Sequence, residues 1–345
     1  MNLRRILLWL HRWVGVVAGL VILVAAITGA LIVIERPLNR WLSPALYPQK
    51  PSGSAHTSVE QALASLREKH PEARVDGIRL PHDGRDALML FSGNQVFHFD
   101  PASGESLGSR PRRTGFTQTL IKLHTNLLAG PTGGTIIVVA TIVTIALALS
   151  GLWLWWPLHI GWFRRGANFR RFNLELHSIA GLYSSLFLLV IAITGVTLRY
   201  LHVEHPRVPT SSPPAAASER IAVDDAIQRA EAALPGTHAA AIEMPGPNAR
   251  TPFRVQLAFP EDGSPAGRSV VFLDRFSGNV LAVHNARTGT WLERYGNLQL
   301  SLHTGAVAGL PGQVIAFLVC IALILQIASG YVLWWKRPAQ SALNR

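Results

Sequence analysis

Four long apolar segments that contain no charged residue constrain what this chain can fold into. They cover residues 13–34, 135–156, 178–198 and 314–335. About 20 consecutive apolar residues in a helix are enough to cross the hydrocarbon core of a bilayer. Only 15% of all residues are charged, against about 25% in ordinary soluble domains. The sequence therefore predicts a membrane protein with four transmembrane helices.

Positive charges are concentrated at one end of each apolar segment. Arg4, Arg5 and Arg12 precede the first segment, four arginines lie between the second and third, and Lys336 and Arg337 follow the fourth. These places lie on one side of the membrane if the chain crosses four times. The positive-inside rule then puts both termini in the cytoplasm. Because the net charge of +12 is explained by this placement, no nucleic-acid partner is expected.

The two halves of the chain are similar to each other. LRRILLWLHRWVGVVAGLVILVAAITGALI, from Leu3, matches FRRFNLELHSIAGLYSSLFLLVIAITGVTL, from Phe169. Between the apolar segments, SVEQALASLREKHPEARVDGIRLP matches AVDDAIQRAEAALPGTHAAAIEMP, and each continues into alternating, strand-like sequence with an Asp-x-x-Ser-Gly turn. Two crossings per half give both halves the same orientation. The sequence thus predicts an internal duplication whose parallel repeats are related by an axis along the membrane normal.

The expected fold is an all-α four-helix transmembrane bundle with two periplasmic α+β domains. Each domain combines one helix with antiparallel strands. In chain order we expect transmembrane helix 1 (1–35), periplasmic domain 1 (36–118), a periplasmic lead-in with transmembrane helix 2 (119–157), a cytoplasmic loop (158–176), transmembrane helix 3 (177–202), a linker (203–218), periplasmic domain 2 (219–296), a periplasmic lead-in with transmembrane helix 4 (297–336) and a cytoplasmic tail (337–345).

Four of the 13 histidines obey the repeat. His11 and His177 stand at the cytoplasmic ends of the first and third apolar segments, and His124 and His303 precede the second and fourth. A pseudo-twofold axis would bring each pair face to face. Neutral imidazole is a good axial ligand for haem iron, and two imidazoles from opposed helices can hold one haem within a bundle. The repeat therefore predicts two haems, bound without the Cys-x-x-Cys-His motif of covalent attachment.

Other interpretations of these residues stay open. A histidine at the end of a transmembrane segment is also typical of an ordinary interfacial polar residue. His202 is a rival outer ligand, although its counterpart Arg36 breaks the repeat. Glycines near the histidines either leave room for a flat macrocycle or serve helix packing alone. The candidate partners of haem propionates are Arg5, Arg12 and Arg171 on the inner side and Lys122 on the outer side.

Several short motifs recur in both halves. They are Leu10-His11, Ala26-Ile27-Thr28-Gly29, Leu123-His124-Thr125, Ser150-Gly151 and Trp155-Trp156-Pro157, with their second-half copies. In these motifs the chain resembles the PepSY-associated transmembrane family of bacterial inner-membrane proteins, and the segments around 58–107 and 222–281 resemble PepSY domains. The resemblance covers nearly the whole chain. It implies four transmembrane helices, periplasmic PepSY domains and, in some members, two b-type haems with ferric-siderophore reduction on the outer side.

The resemblance and the histidine pairs together lead us to expect a haem-dependent ferric-siderophore reductase of the bacterial inner membrane. It would carry electrons from an unidentified cytoplasmic donor to a ferric siderophore in the periplasm and release Fe(II). No catalytic residue beyond the haem ligands His11, His177, His124 and His303 is expected. The chain has no nicotinamide or flavin motif. The alternative is a non-enzymatic PepSY-type regulator of a periplasmic protease or envelope process, in which the histidines are structural.

Overall fold

A computed structural model describes residues 2–49, 58–156, 158, 162–164, 166, 168–201, 209–210, 220–246, 248, 250–262 and 267–335. The chain divides into two compact units. The first, called the helix unit, comprises Met1–Glu35, Phe116–His202 and Gln299–Arg345. The second, called the sheet unit, comprises Arg36–Gly115 and Val203–Leu298.

Helices and strands alternate in blocks along the described residues. The helices are α1 (Leu3–Val33), α2 (Glu35–Leu42), α3 (Val59–Lys69), α4 (Phe116–Asn126), α5 (Gly130–Trp155), α6 (Phe169–Tyr200), α7 (Val223–Ala233), α8 (Trp291–Thr304) and α9 (Gly309–Trp335). The strands are β1 (Gly77–Arg79), β2 (Leu88–Ser92), β3 (Gln95–Phe99), β4 (Ser106–Pro111), β5 (His238–Glu243), β6 (Phe253–Ala258), β7 (Ser269–Leu273) and β8 (Val280–His284).

Four helices of the helix unit are long and apolar enough to cross a membrane. They are α1, α5, α6 and α9, whose most apolar windows have mean hydropathies between 2.2 and 2.9. They form a ring in which α1 and α6 each contact both α5 and α9. All four predicted apolar segments therefore form helices. Helix α6 begins at Phe169, inside the segment expected to be a cytoplasmic loop, because the Asn168 side chain caps it by accepting a hydrogen bond from Arg171 N (2.9 Å).

The polarity of the helix unit is inverted relative to a water-soluble bundle. Large apolar side chains point outward: Val17 is 77% exposed and Leu186 is 67% exposed. Small hydroxyl residues are buried instead, and Thr28 and Ser329 are each only 2% exposed. Transmembrane helices pack through small and hydroxyl residues because lipid already solvates their apolar faces. The exposed faces of these helices thus suit a bilayer.

The sheet unit contains one continuous antiparallel sheet of eight strands in the order β4-β3-β2-β1-β5-β6-β7-β8. Strands β1 and β5 join its two sequence-related parts, with Ile78 opposite Ile242. These parts are predicted from the sequence to be two domains, whereas they form one sheet. The physical reason is that β1 and β5 would each be an open edge in an isolated domain, and an open edge pairs readily with another strand.

Helices α3 and α7 pack on this sheet around a single apolar core, and each caps the other. Asp224 near the start of α7 accepts hydrogen bonds from Val59 N (2.9 Å) and Glu60 N (3.2 Å) of α3. Glu60 in turn accepts from Val223 N (2.8 Å). The first amides of a helix lack partners within it, and carboxylates there are favoured by the helix dipole. The exchange locks the two halves of the sheet unit together.

Candidate functional site

The four histidines that follow the repeat lie together as two pairs. The ring centroids of His11 on α1 and His177 on α6 are 6.2 Å apart, with the ring planes at 86°. Those of His124 on α4 and His303 on α8 are 6.1 Å apart, with the planes at 59°. Each pair joins one residue from each half of the chain, as the repeat predicts.

His124 and His303, the pair predicted to lie on the outer side and here called the outer pair, are held by two helices of the ring; His11 and His177 are called the inner pair. His124 Nδ1 lies 3.0 Å from Ala25 O and 3.1 Å from Thr28 Oγ1 on α1. A β-carbon at the next residue, Gly29, would lie only 3.2 Å from Cε1 of this ring. Because few real contacts are that short, a larger residue there would push the imidazole away.

His303 repeats this arrangement on α6. Its Nδ1 lies 2.8 Å from Ile191 O and 3.4 Å from Thr194 Oγ1. A β-carbon at Gly195 would lie 3.1 Å from the ring. We use the term cradle for this unit: a carbonyl, a hydroxyl residue three positions later and a glycine immediately after it.

The inner pair uses cradles on the other two helices. His177 Nδ1 lies 2.9 Å from Gln326 O and 3.3 Å from Ser329 Oγ on α9. His11 Nδ1 lies 2.9 Å from Ser150 Oγ on α5. Each apolar segment thus supplies one cradle, and each histidine rests in a cradle on a neighbouring helix.

The hydrogen bonds within the cradles determine which ring nitrogen carries the proton. A backbone carbonyl can only accept, so Nδ1 of His124, His303 and His177 must be the donor. The lone pair of Nε2 is then free, which is the form of imidazole that binds metals. A hydrogen bond from the remote ring nitrogen to a carbonyl is also the usual way in which a ligand histidine is oriented. The site residues are therefore preset as neutral ligands.

The spacing of the rings suits one iron between the members of each pair. At a metal–nitrogen distance of about 2 Å, as is usual for histidine, two opposed imidazole ligands would have their centroids about 6 Å apart. Among the described residues, no cluster of three or more His, Cys, Asp or Glu side chains could hold a bare metal ion. Two histidines alone leave a metal ion undercoordinated, whereas a haem supplies four further nitrogen ligands. The residues present fit haem.

Electrostatics favours the neutral state of His124 and His303. Burial lowers the pKa of His124 to about 4, and the nearby His303 adds to this effect. Burial also lowers the pKa of His303. Both imidazoles are therefore uncharged near neutral pH, as a metal ligand has to be.

A comparison with known protein families identifies the family to which this chain belongs. The family model described as the PepSY-associated TM region matches residues 8–337. The chain belongs to this family. No curated protein matches the chain. The matched range includes all four histidines and all four cradles, and membership agrees with the four apolar helices in making this PepSY-associated protein a multi-pass membrane protein.

The residues predicted to neutralise haem propionates differ in their surroundings. Arg5 and Lys122 are exposed, and Arg12 is half-buried. Arg171 has another role, because its Nε donates to Glu175 Oε1 (2.7 Å). Glu175 is fully buried and also accepts from Arg164 N (3.0 Å), so it ties the preceding loop to α6. The rival ligand His202 lies outside the described residues.

One pattern in the sequence marks the cradles, although at the sequence level it shows only the alignment of the two halves. A hydroxyl residue followed by glycine occurs once in each apolar segment: Thr28-Gly29, Ser150-Gly151, Thr194-Gly195 and Ser329-Gly330. Four hydroxyl–glycine pairs in matching positions indicate that all four make the same kind of contact. In the structure of this PepSY-associated protein, each pair contacts a histidine on another helix.

Proposed function

We propose that the chain holds two b-type haems and conducts electrons across the bacterial inner membrane, from a cytoplasmic donor to a ferric siderophore in the periplasm. The observation that carries the proposal is the presence of two half-buried histidine pairs, each with the ring spacing expected of two ligands to a single iron. Bound at these pairs, the haems would supply one-electron transfer. His11 and His177 are the inner ligands, and His124 and His303 are the outer ligands.

The proposed orientation rests on the duplication. The side chains of Asn2 and Asn168 each cap their helix, α1 and α6, and the cradles recur in the same register in both halves. Repeats with the same fold and an even number of crossings have the same orientation. Combined with the arginine distribution, this puts both termini and the inner pair on the cytoplasmic side. The sheet unit is then periplasmic.

The chain's own residues would perform three tasks. The histidines bind, with Nε2 free and uncharged. The carbonyls and hydroxyls of the cradles orient the rings, as outer-shell partners of ligand histidines generally do. The apolar outer faces of α1, α5, α6 and α9 keep the pairs inside the bilayer and away from bulk water. No proton-transferring residue is needed for an electron conduit.

Reduction of a ferric siderophore is chemically useful because hard oxygen ligands hold Fe(III) much more tightly than Fe(II). The outer pair lies on α4 and α8, which precede the membrane helices α5 and α9 in the chain. In the proposed orientation an electron that leaves the outer pair meets the periplasm first. The substrate is therefore the periplasmic iron complex, and the donor is a separate cytoplasmic partner.

The test is anaerobic reoxidation. Protein reduced with dithionite and freed of excess reductant should be reoxidised by a ferric siderophore, with Fe(II) trapped by ferrozine. His124→Ala should slow this strongly, and Trp291→Ala, at an exposed residue of α8, should change it little. His238→Ala, at an exposed histidine of the sheet unit, is the matched control. Reduced protein that stays reduced across a panel of ferric chelates would refute the reductase function, and protein without haem would favour the regulator.

A further inference from the structure

One of the four histidines is held differently from the others. Nδ1 of His124, His303 and His177 lies 2.8–3.0 Å from a backbone carbonyl. For His11, the hydrogen-bond partner within the described part of the chain is the Ser150 hydroxyl at 2.9 Å. The ring of His11 therefore depends on a side chain where the other three depend on the main chain.

The hydroxyl of Ser150 also points differently from its three counterparts. Thr28, Thr194 and Ser329 donate to the carbonyl four residues earlier, at 2.6–2.7 Å. All four hydroxyls also lie 3.0–3.1 Å from the carbonyl three residues earlier, and for Ser150 this carbonyl, that of Leu147, is the backbone acceptor within the described part of the chain. Since that carbonyl accepts from Ser150, the Ser150 oxygen is left to accept from His11. The result is a relay in which Nδ1–H donates to Ser150 Oγ, and its O–H donates to Leu147 O.

Packing explains why the fourth cradle differs. Helix α9 is tied to its neighbours by two polar contacts: Gln326 Nε2 donates to Ser184 Oγ (3.1 Å), and Tyr331 OH donates to Val16 O (2.8 Å). The repeat places Leu147 and Leu152 at these positions of α5. Leucine cannot form such contacts, so α5 lacks both ties.

We infer that Ser150 is a positioning residue for His11 and sets the tautomer and orientation of that ring. The inference adds a residue to the proposed function, and the haem-release experiment rests on that function. The tautomer of His11 is a property of the chain alone and can be measured without haem. Without the hydroxyl, the Nδ1–H of His11 loses its hydrogen-bond acceptor within the described residues. Ser329→Ala, in contrast, leaves His177 bonded to Gln326 O.

The first experiment measures haem loss from full-length protein in detergent to apomyoglobin. Ser150→Ala should release one of the two haems about ten- to a hundredfold faster, which is the usual effect of losing an outer-shell partner of a ligand histidine. Ser329→Ala should release both haems at the rate of the unaltered protein. Ser150→Thr should restore slow release, because threonine occupies the same place in both outer cradles. Equal rates for Ser150→Ala and Ser329→Ala would overturn the inference.

The second experiment needs no haem. In the haem-free full-length protein labelled with ¹⁵N-histidine, His11 should show a single Nδ1–H tautomer, with His11→Ala assigning the signal. Ser150→Ala should shift His11 toward the Nε2–H tautomer, and Ser329→Ala should leave His177 unchanged. If the His11 signal does not shift in Ser150→Ala, the result contradicts the inference, whether or not haem binds. If the signal responds but the unaltered protein takes up no haem, the proposed function fails and the positioning role stands.

Discussion

The two halves of the chain meet in both units, but by different means. In the sheet unit they share a β-ladder and an apolar core, in which Phe253 and Leu273 are fully buried. In the helix unit they meet where α1 packs against α9 and α5 against α6, and at the two histidine pairs, each of which takes one ring from each half. The sheet contact is a generic way to stabilise a fold, whereas the helix contact brings imidazole side chains together between membrane helices.

This difference indicates which unit carries the function. The sheet unit is built around an apolar core, and its helix ends are satisfied by exchanged carboxylates, which are features of stability. The helix unit places four half-buried imidazoles between membrane helices, and ionisable groups within a bilayer are costly and are seldom maintained without a function. Each of these rings is hydrogen-bonded at Nδ1 and lies beside its partner ring, and its Nε2 has no hydrogen-bond partner among the described residues.

Removing single histidines should have the largest effect. His177→Ala should abolish haem binding at the inner pair and leave the outer haem, because only the inner pair loses a ligand. His303→Ala should do the reverse. Low-spin haem signals in electron paramagnetic resonance spectra, which distinguish the two sites, provide the measurement. Retention of both haems in both variants would break the ligand assignment, and His202 would then be the next residue to replace.

Much of this arrangement could be predicted from the sequence. Uncharged apolar segments of sufficient length dictate the four helices, and the register of the repeat pairs His11 with His177. The four helices and the histidine pairing both depend on spacing along the chain, which can be read directly from the sequence. The Thr-Gly and Ser-Gly pairs were visible as well, although their purpose depends on which helices become neighbours.

Other features could not be predicted, because they depend on the docking of distant elements. The fusion of the two sheets arises from pairing between β1 and β5, and β1 has only three residues, so it carries little register information. The exchange of caps between Asp224 and Glu60 needs the starts of α3 and α7 to lie side by side. The different bonding of His11 depends on how α5 packs against α1. Each of these is a tertiary effect that local patterns do not encode.

Acidification should destabilise the sheet unit through His98. This residue of β3 is fully buried, its Nε2 accepts from Arg110 Nε (3.3 Å), and it lies against Tyr47. Burial and the charge of Arg110 lower its pKa to about 4. In the unfolded chain the same histidine takes up a proton near pH 6.5, so stability falls as the pH drops from 6.5 toward 4. The expected loss is about 3 kcal/mol.

The matched variant is His98→Phe, because the repeat has Phe272, also buried, at this position. Thermal unfolding of the sheet unit within the full chain, followed by circular dichroism at several pH values, should show a flatter pH dependence for the variant. Parallel curves for the two proteins would mean that His98 is not the sensor. The haem content should be the same in both.

Breaking the exchanged caps should have the smallest effect. Asp224→Ala removes the acceptor of Val59 N and Glu60 N, and losing a helix cap costs about 1–2 kcal/mol. Asp225→Ala is the control, since Asp225 is the exposed neighbour in the same helix turn. Denaturant unfolding should show the loss only for Asp224→Ala. A comparable loss for Asp225→Ala would point to helix propensity or the helix dipole as the cause.

The central claim is that each histidine pair holds one haem, and the haem-to-protein ratio tests it most directly. The full-length chain should be produced with ample haem, purified in detergent and assayed by the pyridine haemochrome method. We predict two extractable haems per chain, with spectra typical of two histidine ligands before and after dithionite. A well-folded protein without haem, or with haem that survives replacement of all four histidines, would contradict the account.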